Sequence, residues 1–128
     1  MIVVDSSALL CILFREPEAS LFEELVAVDD AAVPVSCRLE AAIVWRKRGG
    51  QAAVFDRFME SGQFAILPHD ARQAEIAIEA DRRFGRGTGH SARLNFGDCL
   101  AYAAAVARDA PLLFKGGDFA RTDVRRAL

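Results

Sequence analysis

The chain has 128 residues, of which 52% are hydrophobic and 27% are charged, and its formal net charge is −2. This composition is too apolar for a disordered chain, and the length predicts a single domain over residues 1–128, with one sheet and its covering helices. The small negative charge excludes nucleic-acid binding through bulk charge, so such a partner would need a local basic patch or a metal ion.

The cysteines and the hydropathy pattern indicate the compartment. Cys11, Cys37 and Cys99 are odd in number and have no C-x-x-C spacing. They argue against a disulfide framework or a zinc site and favour buried thiols in a reducing compartment. The N-terminus begins directly on a strand-like run, and no apolar run is long enough to span a membrane. We therefore expect a cytoplasmic protein without a membrane segment.

Hydrophobic periodicity predicts strands and helices that alternate along the chain. In chain order we predict a strand over 2–4, helices over 8–14 and 18–28, a strand over 32–35, helices over 36–48 and 51–60, a strand over 64–67, helices over 70–84 and 96–108, and a strand over 112–114. The tail from Phe119 is expected to add a helical turn and a short edge strand near Val124. This alternation favours an α/β fold, a three-layer α/β/α sandwich around a mostly parallel sheet of four or five strands.

The segment that begins the last predicted long helix carries an acidic residue, Asp98, in the first helical turn. Asn95 is a good N-cap, which places Asp98 at the third helical position, and the alanine-rich body that follows can lie close to a sheet. Capping and the helix dipole therefore explain Asp98 about as well as a functional role does.

Four acidic residues are predicted to gather at one edge of the sheet. Asp5 follows the first strand, Glu40 lies early in the helix after the second strand, and Asp118 lies just past the fourth. Asp98 begins the helix that leads into that fourth strand. Because the carboxyl ends of parallel strands share one edge, all four acids are expected there.

Each acid also has a structural explanation, as a helix cap (Asp5, Asp98), a solvated helix residue (Glu40) or a turn residue (Asp118). Their coincidence at one edge favours a site. Asp70 also begins a helix after a strand, but Gln73 three residues later resembles a capping box, so we leave Asp70 out of the site.

Several carboxylates at one place repel one another unless a cation neutralises them or some stay protonated. A set of oxygen ligands with no nearby cysteine or histidine pair favours Mg²⁺ or Mn²⁺. Such an ion lowers the pKa of a bound water and neutralises charge on a phosphodiester. The predicted chemistry is metal-assisted phosphodiester hydrolysis.

Four segments together resemble the PIN-domain ribonucleases, and most of all the VapC toxins of bacterial toxin–antitoxin pairs. They are residues 4–8 (Val-Asp-Ser-Ser-Ala), Glu40, residues 94–99 (Leu-Asn-Phe-Gly-Asp-Cys) and residues 113–119 (Leu-Phe-Lys-Gly-Gly-Asp-Phe). The resemblance spans nearly the whole chain. It implies a parallel sheet between helices and an acidic quartet of Asp5, Glu40, Asp98 and Asp118 that holds Mg²⁺ or Mn²⁺.

On this basis we assign roles to the quartet. Asp5 and Asp98 are the direct metal ligands, and Asp118 binds the same ion or a second one through water. Glu40 orients or deprotonates the attacking water.

Three neighbouring residues complete the predicted site. Ser7 and Asn95 hold carboxylates by hydrogen bonds, although Asn95 is equally explained as a plain N-cap. Asp123 offers a further acid that could share the role of Asp118.

Arginines flank a glycine-rich loop at residues 85–93, namely Arg82, Arg83, Arg86 and Arg93. They are either the usual cations of a solvated helix end or a basic lip that contacts RNA phosphates, with Arg86 and Arg93 as the candidate substrate contacts. His90 is expected to be a surface loop residue.

The resemblance further implies an RNA substrate, such as a structured loop in tRNA, and a cognate antitoxin bound to the apolar first helices. A homodimer or a higher toxin–antitoxin assembly is also implied.

Three alternatives to a ribonuclease remain. A receiver-like phosphoacceptor module needs an acidic pair after the first strand and an acceptor aspartate after a middle one, and the chain lacks both. A haloacid-dehalogenase-type phosphatase needs an aspartate at position 7, where this chain has Ser7. A metal-dependent DNA nuclease is compatible with the residues, and only the resemblance favours RNA.

Overall fold

A computed structural model describes all 128 residues and contains one parallel sheet of four strands. The strands are β1 (Ile2–Val4), β2 (Ala31–Pro34), β3 (Ala65–Leu67) and β4 (Leu112–Leu113), in the order β3-β2-β1-β4. All three strand pairs are parallel, with Val3 opposite Ala32 on one side and Leu112 on the other. The predicted α/β fold with a parallel central sheet is therefore confirmed.

Six helices connect and cover the strands. They are α1 (Ser6–Leu13), α2 (Ala19–Val28), α3 (Val35–Lys47), α4 (Ala52–Ser61), α5 (Ala71–Phe84) and α6 (Phe96–Ala107). A 3₁₀ turn (Phe119–Arg121) follows β4. None of these helices has the length and apolar character that crossing a membrane requires.

The predicted element bounds agree with the structure to within about two residues, which is the usual scatter at element ends. Pro34 is the last residue of β2, as its missing amide donor requires, and Val35 already belongs to α3. Asp70 caps α5 by accepting a hydrogen bond from the Gln73 amide at 2.8 Å. The Gln73 side chain contacts His69 (3.0 Å) and the Pro68 carbonyl (3.4 Å), so the capping box is only half formed.

The C-terminal tail joins the sheet by one residue. Leu112 forms an isolated parallel bridge with Arg126, and its amide donates to the Arg125 carbonyl at 2.8 Å. The predicted short edge strand is thus a single bridge, and the sheet has four strands. Val124 is buried and joins the core.

The core is densest where α6 crosses the sheet. Ala101, Ala103, Ala104 and Ala105 are completely buried, and α6 contacts β1, β2, α3 and α5. Small side chains let the helix approach this closely, and that approach brings the start of α6 beside the carboxyl ends of β1 and β2. The three cysteines are free and buried, as predicted.

Candidate active site

Asp5 lies at the centre of the candidate site and is 4% exposed. Its amide donates to the Leu113 carbonyl at 3.0 Å, so the residue is held between β1 and β4. Its carboxylate caps α1 by accepting from the Ser7 amide (3.0 Å) and the Ser7 hydroxyl (2.6 Å). The Cys37 thiol lies 3.7 Å from the other carboxylate oxygen. Burial raises the pKa of Asp5, and the nearby Glu40 raises it further.

Glu40 approaches from α3 and touches two segments of the site. The Ser6 hydroxyl donates to Oε1 of Glu40. Oε2 of Glu40 lies against Gly97, where an added Cβ would be only 2.6 Å away. Gly97 therefore has to lack a side chain if Glu40 is to keep this position.

Asp98 is tied to Asn95 in a complete capping box. The Asn95 side chain accepts from the Asp98 amide at 2.9 Å, and the Asp98 carboxylate accepts from the Asn95 amide at 3.0 Å. Burial raises the pKa of Asp98 to about 6, and the charges of Asp5, Asp118 and Glu40 contribute to the rise. The capping explanation is thus correct, and the same carboxylate also lies within electrostatic range of the other three acids.

Asp118 is the exposed member of the quartet. It lies two residues after Gly116, whose φ of +107° is a conformation that favours glycine, and it begins the 3₁₀ turn without making a side-chain cap. Its charge contributes to the raised pKa of Asp98.

Asp123 is engaged elsewhere. Its two carboxylate oxygens contact the Tyr102 hydroxyl (2.6 Å) and the Arg83 guanidinium (3.2 Å). The Tyr102 hydrogen bond, together with Arg83, lowers the pKa of Asp123. This geometry favours Asp118 over Asp123 as the fourth acid of the site.

The quartet has no basic partner. No lysine, arginine or histidine forms an ion pair with any of its four carboxylates. The carboxylates are close enough to influence one another, yet they do not converge within 4.8 Å as a set of metal ligands does.

A second acidic cluster does converge, and the sequence did not indicate it. Cys11, Glu16 and Glu18 place their ligand atoms within 4.8 Å of one another. The Lys115 ammonium pairs with both glutamates, at 3.0 Å from Glu18, and offsets one of their two negative charges. The Glu-Pro-Glu spacing at 16–18 was the available signal, but only the fold shows that its partner is Lys115.

Of the four arginines around the loop at 85–93, two are used locally: Arg82 pairs with Glu79 and Arg83 with Asp123. The other two have no acidic partner. The Nε of Arg86 donates to the Arg93 carbonyl at 3.2 Å.

Arg121, which the sequence did not single out, also has no acidic partner. It donates to the Ser91 carbonyl at 3.3 Å and lies beside Gly117, next to Asp118. We call Arg86, Arg93 and Arg121 the basic rim. His90 is a loop residue, as expected, and its Nδ1 accepts from the Ala92 amide at 3.0 Å.

Comparison with known proteins decides the family. A family model described as the PIN domain matches residues 2–125. Ribonuclease VapC28 of Mycobacterium tuberculosis is 41% identical over 129 residues, which cover 98% of this chain and 97% of that protein. Ribonuclease VapC of Mycolicibacterium smegmatis is 43% identical over 125 residues, which cover 95% of this chain and 96% of that protein. The chain belongs to the VapC ribonucleases of the PIN-domain family.

Solved VapC structures share the fold at low sequence identity. The M. tuberculosis VapC20 structure, titled a sarcin-ricin loop cleaving toxin, superposes with a TM-score of 0.75 at 18% identity and covers 97% of this chain and 96% of that one. The structure of VapBC2 from Rickettsia felis, bound to a promoter DNA fragment, superposes with a TM-score of 0.72 at 17% identity. The match covers 98% of this chain and 96% of that one. Membership in the VapC family excludes the receiver-like and phosphatase alternatives.

The donor set of this VapC chain fits a hard divalent cation. Asp5, Asp98 and Asp118 offer only carboxylate oxygens, which are the ligands that Mg²⁺ and Mn²⁺ prefer. Ser7 and Asn95 orient two of these carboxylates by hydrogen bonds. The negative charge has no basic partner and Asp5 is buried, so a bound cation would offset both the repulsion and the desolvation of these carboxylates.

The raised pKa of Asp98 predicts that this carboxylate destabilises the ion-free fold. Its folded-state pKa of about 6 lies above the ordinary value of 3.8, so the penalty is full above pH 6, declines between these values and vanishes below pH 4. Asp98→Asn keeps an oxygen for the capping box. With screening of a partly exposed group taken into account, it should raise the free energy of unfolding by about 1 kcal/mol in EDTA at pH 8.

Urea denaturation in EDTA at pH 8 and pH 4 measures this difference. Asp70→Asn is the matched control, because Asp70 is an exposed helix cap, and it should not stabilise the protein. A less stable Asp98→Asn protein at pH 8 would contradict the prediction.

Proposed function

We propose that this chain is a metal-dependent endoribonuclease and the toxin of a toxin–antitoxin pair. The observation that carries the proposal is the quartet of Asp5, Glu40, Asp98 and Asp118, which shares one sheet edge and has no basic partner. The sequence identity of the chain to VapC ribonucleases, which extends over nearly its full length, supports RNA as the substrate.

In this mechanism Asp5, Asp98 and Asp118 hold Mg²⁺ or Mn²⁺. When bound, the ion supplies Lewis acidity and charge neutralisation at the scissile phosphate. Glu40, held by Ser6 and seated against Gly97, orients the attacking water and accepts its proton. Ser7 and Asn95 keep Asp5 and Asp98 in place.

The substrate is proposed to be a structured RNA, such as a tRNA loop, as the family resemblance implies. Arg86, Arg93 and Arg121 support this, because they have no acidic partner and belong to the two segments, before Asn95 and after Asp118, that carry acids of the site.

The proposed partner is an antitoxin protein, and a homodimer or higher toxin–antitoxin assembly is the proposed resting form. Solved VapBC complexes share the fold. An apolar groove of about 540 Å³ between α1, α2 and α4 fits an antitoxin segment. Its apolar lining includes Ile12, Leu13, Val26, Val54, Phe58 and Phe64.

The buried free thiols fit a reducing compartment, and we propose the cytoplasm.

Cleavage of labelled total RNA by the antitoxin-free protein tests the proposed activity. We expect discrete cuts with Mg²⁺ or Mn²⁺, none with EDTA, and a loss for Asp98→Asn that exceeds the about 10–100-fold cost of removing an outer-shell partner. Sequencing of the cut ends identifies the RNA.

A single-stranded and a duplex DNA are assayed in parallel. Cutting of DNA but not RNA would make the chain a DNA nuclease. If neither is cut by micromolar enzyme with Mn²⁺, the chain is not a nuclease of this type.

Gly97→Ala tests the placement of Glu40. The added Cβ should displace the flexible Glu40 carboxylate, so kcat should fall about tenfold while KM changes little. The free energy of unfolding should stay equal or rise by up to about 1 kcal/mol, because alanine favours the helix over glycine. Glu40→Ala is the reference variant: if Gly97→Ala acts only through Glu40, the double variant Gly97→Ala/Glu40→Ala should be no slower than Glu40→Ala alone. An unchanged kcat in Gly97→Ala would show that Glu40 does not act from this position.

Arg93→Gln and Arg121→Gln test the basic rim in an Asp98→Asn background that cannot cut RNA. Fluorescence anisotropy with a labelled RNA should show weaker binding, and the slope of log affinity against log salt should fall by about 0.7 for each phosphate that the protein no longer neutralises. Arg82→Gln, which removes an arginine paired with Glu79, is the control and should leave the slope unchanged. If Arg93→Gln and Arg121→Gln show the same slope as Arg82→Gln, the basic rim does not contact RNA phosphates.

A further inference from the structure

Lys115 joins a distant acidic pair to the loop that carries Asp118. Its ammonium contacts Glu16 and lies 3.0 Å from Glu18, both in or beside the connection between α1 and α2. The side chains are only 32–41% exposed, and hydrogen bonds to both glutamates raise the pKa of Lys115, so the cation persists. We call Glu16, Glu18 and Lys115 the clamp.

The backbone of the same lysine reaches the candidate site. The Lys115 amide donates to the Ser7 hydroxyl oxygen at 3.0 Å, and that hydroxyl donates to the Asp5 carboxylate at 2.6 Å. A hydroxyl has one proton to donate, and here the incoming amide occupies the oxygen as acceptor. The Lys115 amide therefore holds the Ser7 oxygen in place while the single Ser7 proton is donated to Asp5.

The middle of this loop has little to hold it. Gly116 and Gly117 carry no side chains, their amides donate no hydrogen bond, and Asp118 makes no side-chain cap. Phe119, buried against Phe114, fixes the end of the loop. Glycines lose the most conformational freedom on ordering, so a second anchor at the start of the loop narrows where Asp118 can lie. Lys115 is that second anchor.

We propose that Lys115 is a positioning residue whose clamp with Glu16 and Glu18 sets the metal affinity of the site by fixing the Asp118 loop and the Ser7–Asp5 hydrogen bond. This inference rests on the proposed metal binding by Asp5, Asp98 and Asp118. It assigns a function to residues outside the quartet.

A purely electrostatic role for Lys115 predicts the opposite result. If the lysine acted only as a nearby positive charge, its removal would strengthen cation binding, and removal of the two glutamate charges would weaken it. In that case the lysine variant and the glutamate variant would change the cation affinity in opposite directions, and the triple variant would show the sum of the two changes. The clamp predicts that either change weakens binding, and that the two together weaken it no further.

Mn²⁺ titration followed by the electron paramagnetic resonance signal of the free ion measures affinity without relying on activity. The proteins are wild type, Lys115→Met, the double variant Glu16→Gln/Glu18→Gln and the triple variant, with melting temperatures recorded in EDTA. We expect about tenfold weaker Mn²⁺ binding in each of the three variants, the size typical of removing an outer-shell partner. Lys115→Arg, which can still pair with both glutamates, should retain most of the affinity.

Ser7→Ala is a second test, because it removes the hydroxyl that joins the Lys115 amide to Asp5 and leaves the ion pairs of Lys115 intact. It should also weaken Mn²⁺ binding, and it keeps the proposal testable if Lys115→Met does not fold. Unchanged or tighter binding in Lys115→Met, or additive effects in the triple variant, would overturn the clamp. Wild-type protein that binds no Mn²⁺ would overturn the proposed metal site itself, and the clamp with it.

Discussion

The structure depends on a group of carboxylates that the fold forces together without a basic partner. Asp5 is almost fully buried, and Asp98 has a pKa raised to about 6. In a domain of this size such charges oppose folding, because desolvation and mutual repulsion both favour the neutral acid. A cation bound between them would remove this cost, so the same feature that weakens the ion-free fold favours metal binding.

Backbone geometry is what brings the acids together. Asp5 directly follows β1 and its amide is hydrogen-bonded to the carbonyl of Leu113, where β4 ends, so this acid is held at the ends of two neighbouring strands. The close approach of alanine-rich α6 to the sheet brings Asp98 to the same edge. Asp5 and Asp98 also cap helices, so for these two acids the local structure and the site use the same side chain.

The clamp shows how differently the chain treats its two acidic groups. Glu16 and Glu18 converge on Lys115, which offsets one of their two charges, whereas the quartet nearby has no lysine or arginine within ion-pair distance. The lysine that pairs with the first group is also bonded through its amide to Ser7, beside the second. An ion pair in one place thereby supports the position of unpaired charge in the other.

The sequence by itself determined the element order, the parallel sheet and the segments that carry the four acids. Hydrophobic periodicity and the capping residues Asp5, Asp70 and Asn95 are local signals, and local signals survive without knowledge of the fold. Only the tertiary structure decided that Asp123 pairs with Tyr102 and Arg83, that Ser6 and Gly97 hold Glu40, and that Lys115 reaches back to Glu16 and Glu18. These contacts join residues far apart in the chain, and their partners are selected by crossover geometry and side-chain reach, which no local pattern encodes.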